Sequence, residues 1–193
     1  MKRVFIIHGW SDSPLGGWFP WLKKELMTRG YEVHVPAMPD ADHPAIDTWV
    51  PFLRHAVGQS DNETYFVGHS IGCQTIMRYL ETLPADTVVG GVVLVGGWVT
   101  LKPEALEDDE AVAIGGPWLQ RPLHWPIIRA RAQQFTAIMS DDDQFVPLDD
   151  KDVFQRELGA KMIIEHHKKH MSGDDGVTIL ASALRAVEEM VAK

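Results

Sequence analysis

The sequence predicts an α/β protein: a three-layer α/β/α sandwich around a mostly parallel sheet of about six strands. Two observations predict this class. Short runs of β-branched and apolar residues alternate with longer segments of helical spacing, a pattern typical of a parallel sheet covered on both faces. One of the short runs also ends in a glycine-flanked serine, Ser70, directly before a helical segment. Such strand-to-helix junctions place reactive groups at the carboxyl edge of the sheet.

The individual elements follow from local patterns along the chain. Runs rich in Val, Ile, Tyr and Phe predict strands, and apolar residues three or four apart predict helices. Gly30 stands where the first helix should end, as a glycine C-cap. The predicted strands are 3–7, 31–35, 64–67, 88–95, 135–139 and 161–164, and the predicted helices are 18–29, 46–58, 71–83, 149–158 and 174–192.

Length and composition predict one domain, 1–193, large enough to bury a core without metals or disulfides. Its one cysteine, Cys73, has no partner for an internal disulfide, which favours a reducing, cytoplasmic location. The apolar N-terminal run stops at His8, so it predicts the first strand rather than a signal peptide. No apolar run reaches the roughly 18–20 residues that a membrane span requires.

The charge pattern argues against nucleic acid as a partner. Eighteen Lys and Arg face 27 Asp and Glu, which gives a formal charge of −9 that repels phosphate backbones. Most of the acidic residues fall in loops or beside predicted helix starts, where they are expected to be solvated. We therefore expect a small-molecule partner, neither nucleic acid nor a membrane, and no feature supports a protein partner.

The irregular segment of the chain is 96–130, between two predicted core strands. It is rich in proline and tryptophan and has an acidic middle. Two interpretations stay open: a lid or cap over a functional site, or a plain surface excursion. Its tryptophans would line a small apolar pocket in the first case and fix the segment to the body in the second, the role favoured for Trp98.

The pentapeptide Gly68-His69-Ser70-Ile71-Gly72 marks a candidate nucleophile. In a nucleophile elbow, small residues two before and two after the serine let strand and helix approach closely, so that the turn presents the hydroxyl above the sheet. Gly68 and Gly72 meet that demand. A serine hydroxyl nevertheless needs a base, an orienting carboxylate and donors for the oxyanion.

Two later loops supply an acid and a histidine. Asp143 follows the strand 135–139 in a segment that ends at Pro147, and His170 lies after the strand 161–164. His166 and His167 compete with His170 as the base because they lie nearer the strand end. By analogy with triads whose base lies on the loop after the last strand, His170 is favoured.

The interpretation of the same residues as metal ligands has less support. His166 and His170 are spaced i,i+4, but a zinc helix of the His-Glu-x-x-His kind needs a third ligand and a carboxylate, and the intervening lysines would oppose a cation. Asp141, Asp142 and Asp143 lack the spacing of a calcium-binding loop, so the first two are expected to stabilise a turn. We expect no metal and no cofactor.

Jointly, these segments resemble the small α/β-hydrolase-fold serine hydrolases, the family that includes retinoblastoma-binding protein nine and bacterial relatives. The resemblance covers nearly the whole chain and rests on the first strand with 8–10, on 68–73, on 140–147 and on the histidine before the last helix. It implies Ser70 as nucleophile, Asp143 as orienting acid and His170 as general base, in the chain order of that fold. Members commonly have glycine before the histidine, where this chain has Lys169.

The oxyanion hole is expected from two backbone amides, those of Ile71 after the serine and Trp10 after the first strand. His8 is expected to be a structural histidine at the strand end. His69 is expected to give packing or hydrogen-bonding support, and Cys73 is expected to be a buried, unreactive residue.

The expected reaction is the cleavage of a small ester through an acyl-serine intermediate, with an amide or a thioester as the less favoured alternative substrate. The tryptophan-rich segment suggests that the acyl or alcohol part is small and apolar. Two alternatives stay open: a non-catalytic protein-interaction module on a hydrolase scaffold, and acyl transfer to an acceptor other than water.

Overall fold

The chain is built on a parallel sheet, described here in a computed structural model that covers residues 1–192. The six strands run in the order β2-β1-β3-β4-β5-β6, and every neighbouring pair is parallel. The predicted fold class is confirmed. The strands are β1 (Arg3–Ile7), β2 (Glu32–His34), β3 (Thr64–His69), β4 (Gly91–Val95), β5 (Phe135–Ser140) and β6 (Lys161–Glu165).

Helices cover both faces of this sheet. The two faces alternate along β1: Phe5 and Ile7 belong to one core cluster, and Val4 and Ile6 belong to the other. The helices are α1 (Phe19–Thr28), α2 (Ile46–Val57), α3 (Ile71–Glu81), α4 (Asp109–Gln120), α5 (Trp125–Ala130), α6 (Asp150–Leu158) and α7 (Ala181–Val191), with a short 3₁₀ turn at Pro103–Ala105. The first cluster includes residues of α2, α3 and α6, and the second includes residues of α1 and α7.

The predicted start of the last helix is wrong, because α7 begins at Ala181 rather than at residue 174. A local turn occupies the earlier residues. The Asp175 carboxylate accepts hydrogen bonds from the Ser172 amide at 3.1 Å and the Ser172 hydroxyl at 2.7 Å. Gly176 then has a φ of 77°, which a continuing α-helix does not allow. Helical spacing alone could not reveal this side-chain competition with the helix.

The segment 96–130 forms α4, α5 and the 3₁₀ turn, none of which was predicted from the sequence. Asp108 caps α4 by accepting from the Ala111 amide at 2.7 Å. Trp118 is buried, and its indole N–H donates to the Pro44 carbonyl at 3.0 Å. From α3, the buried Arg78 donates to the Trp118 carbonyl at 2.7 Å. The segment is therefore fixed to the body, and its motion as a lid stays a prediction.

Within residues 1–192, none of the helices combines the length and the apolar character needed to cross a membrane.

Candidate active site

Ser70 lies at the sharp turn between β3 and α3, with φ 52° and ψ −121°. A non-glycine residue at positive φ is strained and persists only where the surroundings hold it. The close approach of strand and helix explains the flanking glycine: a Cβ at Gly72 would lie 2.4 Å from the Ile7 carbonyl oxygen. The Ser70 amide in turn donates to the Val95 carbonyl at 2.9 Å. The elbow is thus held by contact with the neighbouring strands β1 and β4.

Asp143 and His170, from the loops after β5 and β6, form a buried pair. One Asp143 carboxylate oxygen, Oδ2, lies 2.8 Å from His170 Nδ1. The other, Oδ1, accepts from the amides of Phe145 at 2.8 Å and Val146 at 3.0 Å. Because the carboxylate can only accept, it fixes the proton on His170 Nδ1 and leaves Nε2 to accept a proton.

A cavity of about 480 Å³ is lined by the histidine of this pair and by the serine. Ser70, Ile71, Trp10 and His170 all line it. Within residues 1–192, His170 Nε2 has no hydrogen-bond partner, so it is available to a group in the cavity. One wall comes from the segment 96–130. That wall consists of Trp98, Leu101, Glu104, Ala105, Ala111 and Gly115.

The two competing histidines lie outside this cavity. His166 and His167 are exposed, and Asp141 binds both: Oδ2 lies 2.5 Å from His166 Nδ1, and Oδ1 accepts from the His167 amide at 3.0 Å. The hydrogen bond to Asp141 raises the pKa of His166. The segment is not helical, so the i,i+4 spacing does not bring His166 and His170 onto one face. No group of three or more His, Cys, Asp or Glu suited to a metal occurs among residues 1–192.

Asp142 stabilises the turn directly before His170. Its Oδ1 accepts from the Ser140 hydroxyl and from the Lys169 amide, both at 2.8 Å. These bonds favour the ionised carboxylate and lower the pKa of Asp142. Lys169 has a φ of 49°, in the left-handed region that glycine adopts without strain. The hydrogen bond that its amide donates to Asp142 helps to hold Lys169 in this conformation.

The remaining buried residues near the cavity have structural partners. His8 Nε2 accepts from the Met38 amide at 3.0 Å, and burial lowers the pKa of His8, so the neutral ring serves as an acceptor at the strand end. Burial raises the pKa of the Cys73 thiol far above its usual range, which makes that residue a poor nucleophile. His69 Nε2 donates to the His170 carbonyl at 2.8 Å.

Two residues that fix the cavity wall were not predicted from the sequence. The Lys102 ammonium donates to the Asp143 carbonyl at 2.5 Å. The buried Asp150 accepts from the amides of Val99 at 2.6 Å and Thr100 at 2.8 Å. Asp150 belongs to an acidic run that had suggested only a solvated helix start. Its burial depends on a segment 50 residues away, and no local pattern marks that contact.

Comparison with known proteins assigns the chain to a family. The serine hydrolase family model matches residues 4–189. The chain belongs to the serine hydrolase family. It is 32% identical over 179 residues to the YdeN protein of Bacillus subtilis, covering 93% of this chain and 90% of YdeN. It is 29% identical over 156 residues to the serine hydrolase RBBP9 of Rattus norvegicus, covering 80% and 78%.

Solved structures agree with this assignment. The crystal structure of the B. subtilis YdeN gene product superposes with a TM-score of 0.91 at 30% identity, and the match covers 100% of both chains. Est1E from Butyrivibrio proteoclasticus shares the fold, with a TM-score of 0.71 at 16% identity over 100% of this chain and 89% of that one. The sequence-based resemblance to small α/β-hydrolase-fold serine hydrolases is confirmed.

Proposed function

We propose that this protein is a carboxylesterase-like enzyme that cleaves a small ester through an acyl-serine intermediate. One observation supports it most: Ser70, on its strained turn, shares a cavity with a histidine whose other nitrogen is held by a buried aspartate at 2.8 Å. An activated serine requires a histidine base that is oriented by a carboxylate and lies within reach of the hydroxyl, and the shared cavity supports such an arrangement here.

In the first half of the proposed reaction, Ser70 Oγ attacks the ester carbonyl carbon while His170 Nε2 takes the hydroxyl proton. The carbonyl π electrons move to the oxygen, which becomes an oxyanion. The backbone amides of Ile71 and Trp10 would donate to it, since both residues line the cavity and Ile71 is the first residue of α3. When the tetrahedral intermediate collapses, the alcohol leaves with the proton from His170 and the acyl group stays on Ser70.

In the second half, water replaces the alcohol. His170 Nε2 takes a proton from the water as its oxygen attacks the acyl carbon, and the same oxyanion donors act again. Collapse breaks the bond to Ser70 Oγ, which recovers its proton from His170, and a carboxylic acid is released. Asp143 holds the imidazole in one orientation and stabilises the imidazolium that forms in each half. No step requires a metal or a cofactor.

The cavity supports a small, apolar substrate. Its volume of about 480 Å³ lies in the lower part of the range of small-molecule sites. Trp98, Leu101 and Phe145 supply apolar walls around the serine. We propose that a short acyl or alcohol part of the substrate binds against these walls. The proposed partner is thus a small-molecule ester, and neither a nucleic acid nor a membrane.

Turnover of short p-nitrophenyl esters tests the proposal. The wild type should hydrolyse the acetate and butyrate esters, and Ser70→Ala should lose at least about 10³-fold in kcat. Ser60→Ala, a serine that bonds the Tyr79 hydroxyl at 2.6 Å and does not line the cavity, is the matched control and should keep the wild-type rate. Full turnover by Ser70→Ala would contradict the proposal, whereas transfer of the acyl group to added alcohols without hydrolysis would favour an acyltransferase.

A further inference from the structure

We infer that His69 is a positioning residue for the proposed reaction, because its Nε2–H donates to the His170 carbonyl at 2.8 Å. This bond ties the loop after β6 that carries His170 (166–171, the base loop) to the end of β3, directly before Ser70. The inference rests on the proposed function. It assigns a role to the second residue of the pentapeptide, for which the chemistry itself has no use.

The His69 ring is held rigidly. It is 3% exposed, and its centroid lies 6.0 Å from the rings of both Trp18 and Phe19. The His170 ring lies 5.0 Å away. A Cβ at Gly9 would lie only 3.1 Å from His69 Nδ1, so the loop after β1 also packs against the ring. The elbow, the base loop and the loop of Trp10 therefore meet at this one side chain.

The partner of His69 determines which of its nitrogens carries the proton. A carbonyl oxygen only accepts, so His69 Nε2 carries the proton, and the buried Nδ1 is left without a partner among residues 1–192. Burial, together with the neighbouring His170 charge, lowers the pKa of His69 to about 3, against the weaker raising effects of its hydrogen bond to the His170 carbonyl and of the Asp143 and Asp175 charges. His69 therefore stays a neutral donor while His170 gains and loses its proton.

Other bonds to the base loop do not replace this one. The Lys169 amide is held by Asp142, and the Met171 carbonyl accepts from the Trp18 indole at 2.9 Å. These partners fix the loop to the segment after β5 and to the residue directly before α1. The bond from His69 alone among the three joins the loop to the residue next to Ser70, so its loss should alter the distance between nucleophile and base while the fold persists.

The test compares inactivation kinetics with a fluorophosphonate probe in His69→Phe and His69→Gln. Phe keeps a ring but removes the donor, whereas the Gln side-chain amide nitrogen occupies the place of Nε2. We expect kinact of His69→Phe to fall about 10- to 100-fold with KI unchanged, because small misplacements of reacting groups cost rates of this size. His69→Gln should recover most of the lost rate. Val187→Ala, a buried change in α7, is the control that lowers stability without changing kinact.

Several results would overturn the inference. Equal kinact in His69→Phe and the wild type would do so, as would a loss in His69→Gln as large as in His69→Phe. If His69→Phe does not fold, imidazole ¹⁵N shifts of the wild type decide: a proton on Nε2 from pH 5 to 8 supports the inference, and a proton on Nδ1 overturns it. A wild type that reacts with no probe at all would instead contradict the proposed function.

Discussion

The two loops that carry the candidate nucleophile and base are held in different ways. The elbow around Ser70 is held by close packing, where Gly72 leaves no space for a Cβ against the Ile7 carbonyl. The base loop has three non-glycine residues at positive φ, with His167 at 55°, Lys169 at 49° and Met171 at 57°. Instead, the base loop is held by hydrogen bonds that its backbone amides donate to side chains of the preceding loop. Close packing requires glycines at nearby sequence positions and can therefore be predicted from the local sequence. Long-range hydrogen bonds require no local pattern and cannot be predicted in this way.

The largest expected effect is on the elbow. Gly72→Ala would place a methyl 2.4 Å from the Ile7 carbonyl oxygen, and we expect a loss of about 3 kcal/mol in the free energy of unfolding by urea. Gly97→Ala is the graded control in the same region. Its methyl would meet Leu94 Cβ at 3.3 Å and should cost about 1 kcal/mol. Equal losses would show that packing does not distinguish the elbow.

The second effect is on the base loop, and it should appear in the rate. Asp142→Ala removes the acceptor of the Ser140 hydroxyl and the Lys169 amide, so we expect about a tenfold fall in the fluorophosphonate inactivation rate. Asp142→Asn keeps an oxygen in the same place and should retain most of the rate. If both variants react like the wild type, the hydrogen bonds that Asp142 accepts do not position His170.

These differences explain which features of the fold and the site could be predicted from the sequence. The sharp turn at Ser70 could be predicted because it depends on glycines within two residues, and the parallel sheet could be predicted from a local alternation. The positions of Asp143 and His170 after successive strands were predicted as well. The partners of Asp150 and Lys102 were not, because these contacts join segments about 40 to 50 residues apart.

Helices α4 and α5 were missed for a related reason. Pro117 lies inside α4, and Pro126 lies in the first turn of α5, so the local pattern indicated a loop. Long-range contacts stabilise α4 nevertheless, among them the hydrogen bond from Arg78 to the Trp118 carbonyl. Tertiary packing here outweighs local propensity, which a pattern of single residues does not report.

Glycine substitutions in the base loop and in α1 should change the free energy of unfolding in opposite directions. Lys169→Gly should raise the free energy of unfolding by up to about 1 kcal/mol, because glycine adopts a φ of 49° without strain. Lys24→Gly, an exposed position within α1, should lower it by about 1 kcal/mol through loss of helix propensity. Urea unfolding of both variants gives the comparison, and a destabilised Lys169→Gly would contradict it.

The smallest effect concerns the exposed pair of His166 and Asp141. The pKa of His166 is raised, so its contribution is fully present below the unfolded value of 6.5 and is lost as the pH rises through the folded value. The pKa of Asp141 is lowered from 3.8, so its contribution is present above 3.8 and is lost as the pH falls through the folded value. The pair should therefore stabilise the fold most between these limits.

Urea midpoints from pH 4 to 9 test this dependence. We expect a small advantage of the wild type over His166→Gln at pH 5 that shrinks at pH 9 and in high salt, because exposed ion pairs are screened. A difference that does not change with pH would show that the pair contributes nothing through its charge.

Intact-mass analysis after fluorophosphonate labelling shows whether His170 activates Ser70. We predict one adduct on the folded wild type, none on Ser70→Ala, and a much slower reaction for His170→Ala. A folded wild type that remains unlabelled, or a Ser70→Ala variant that gains the same adduct, would contradict the account.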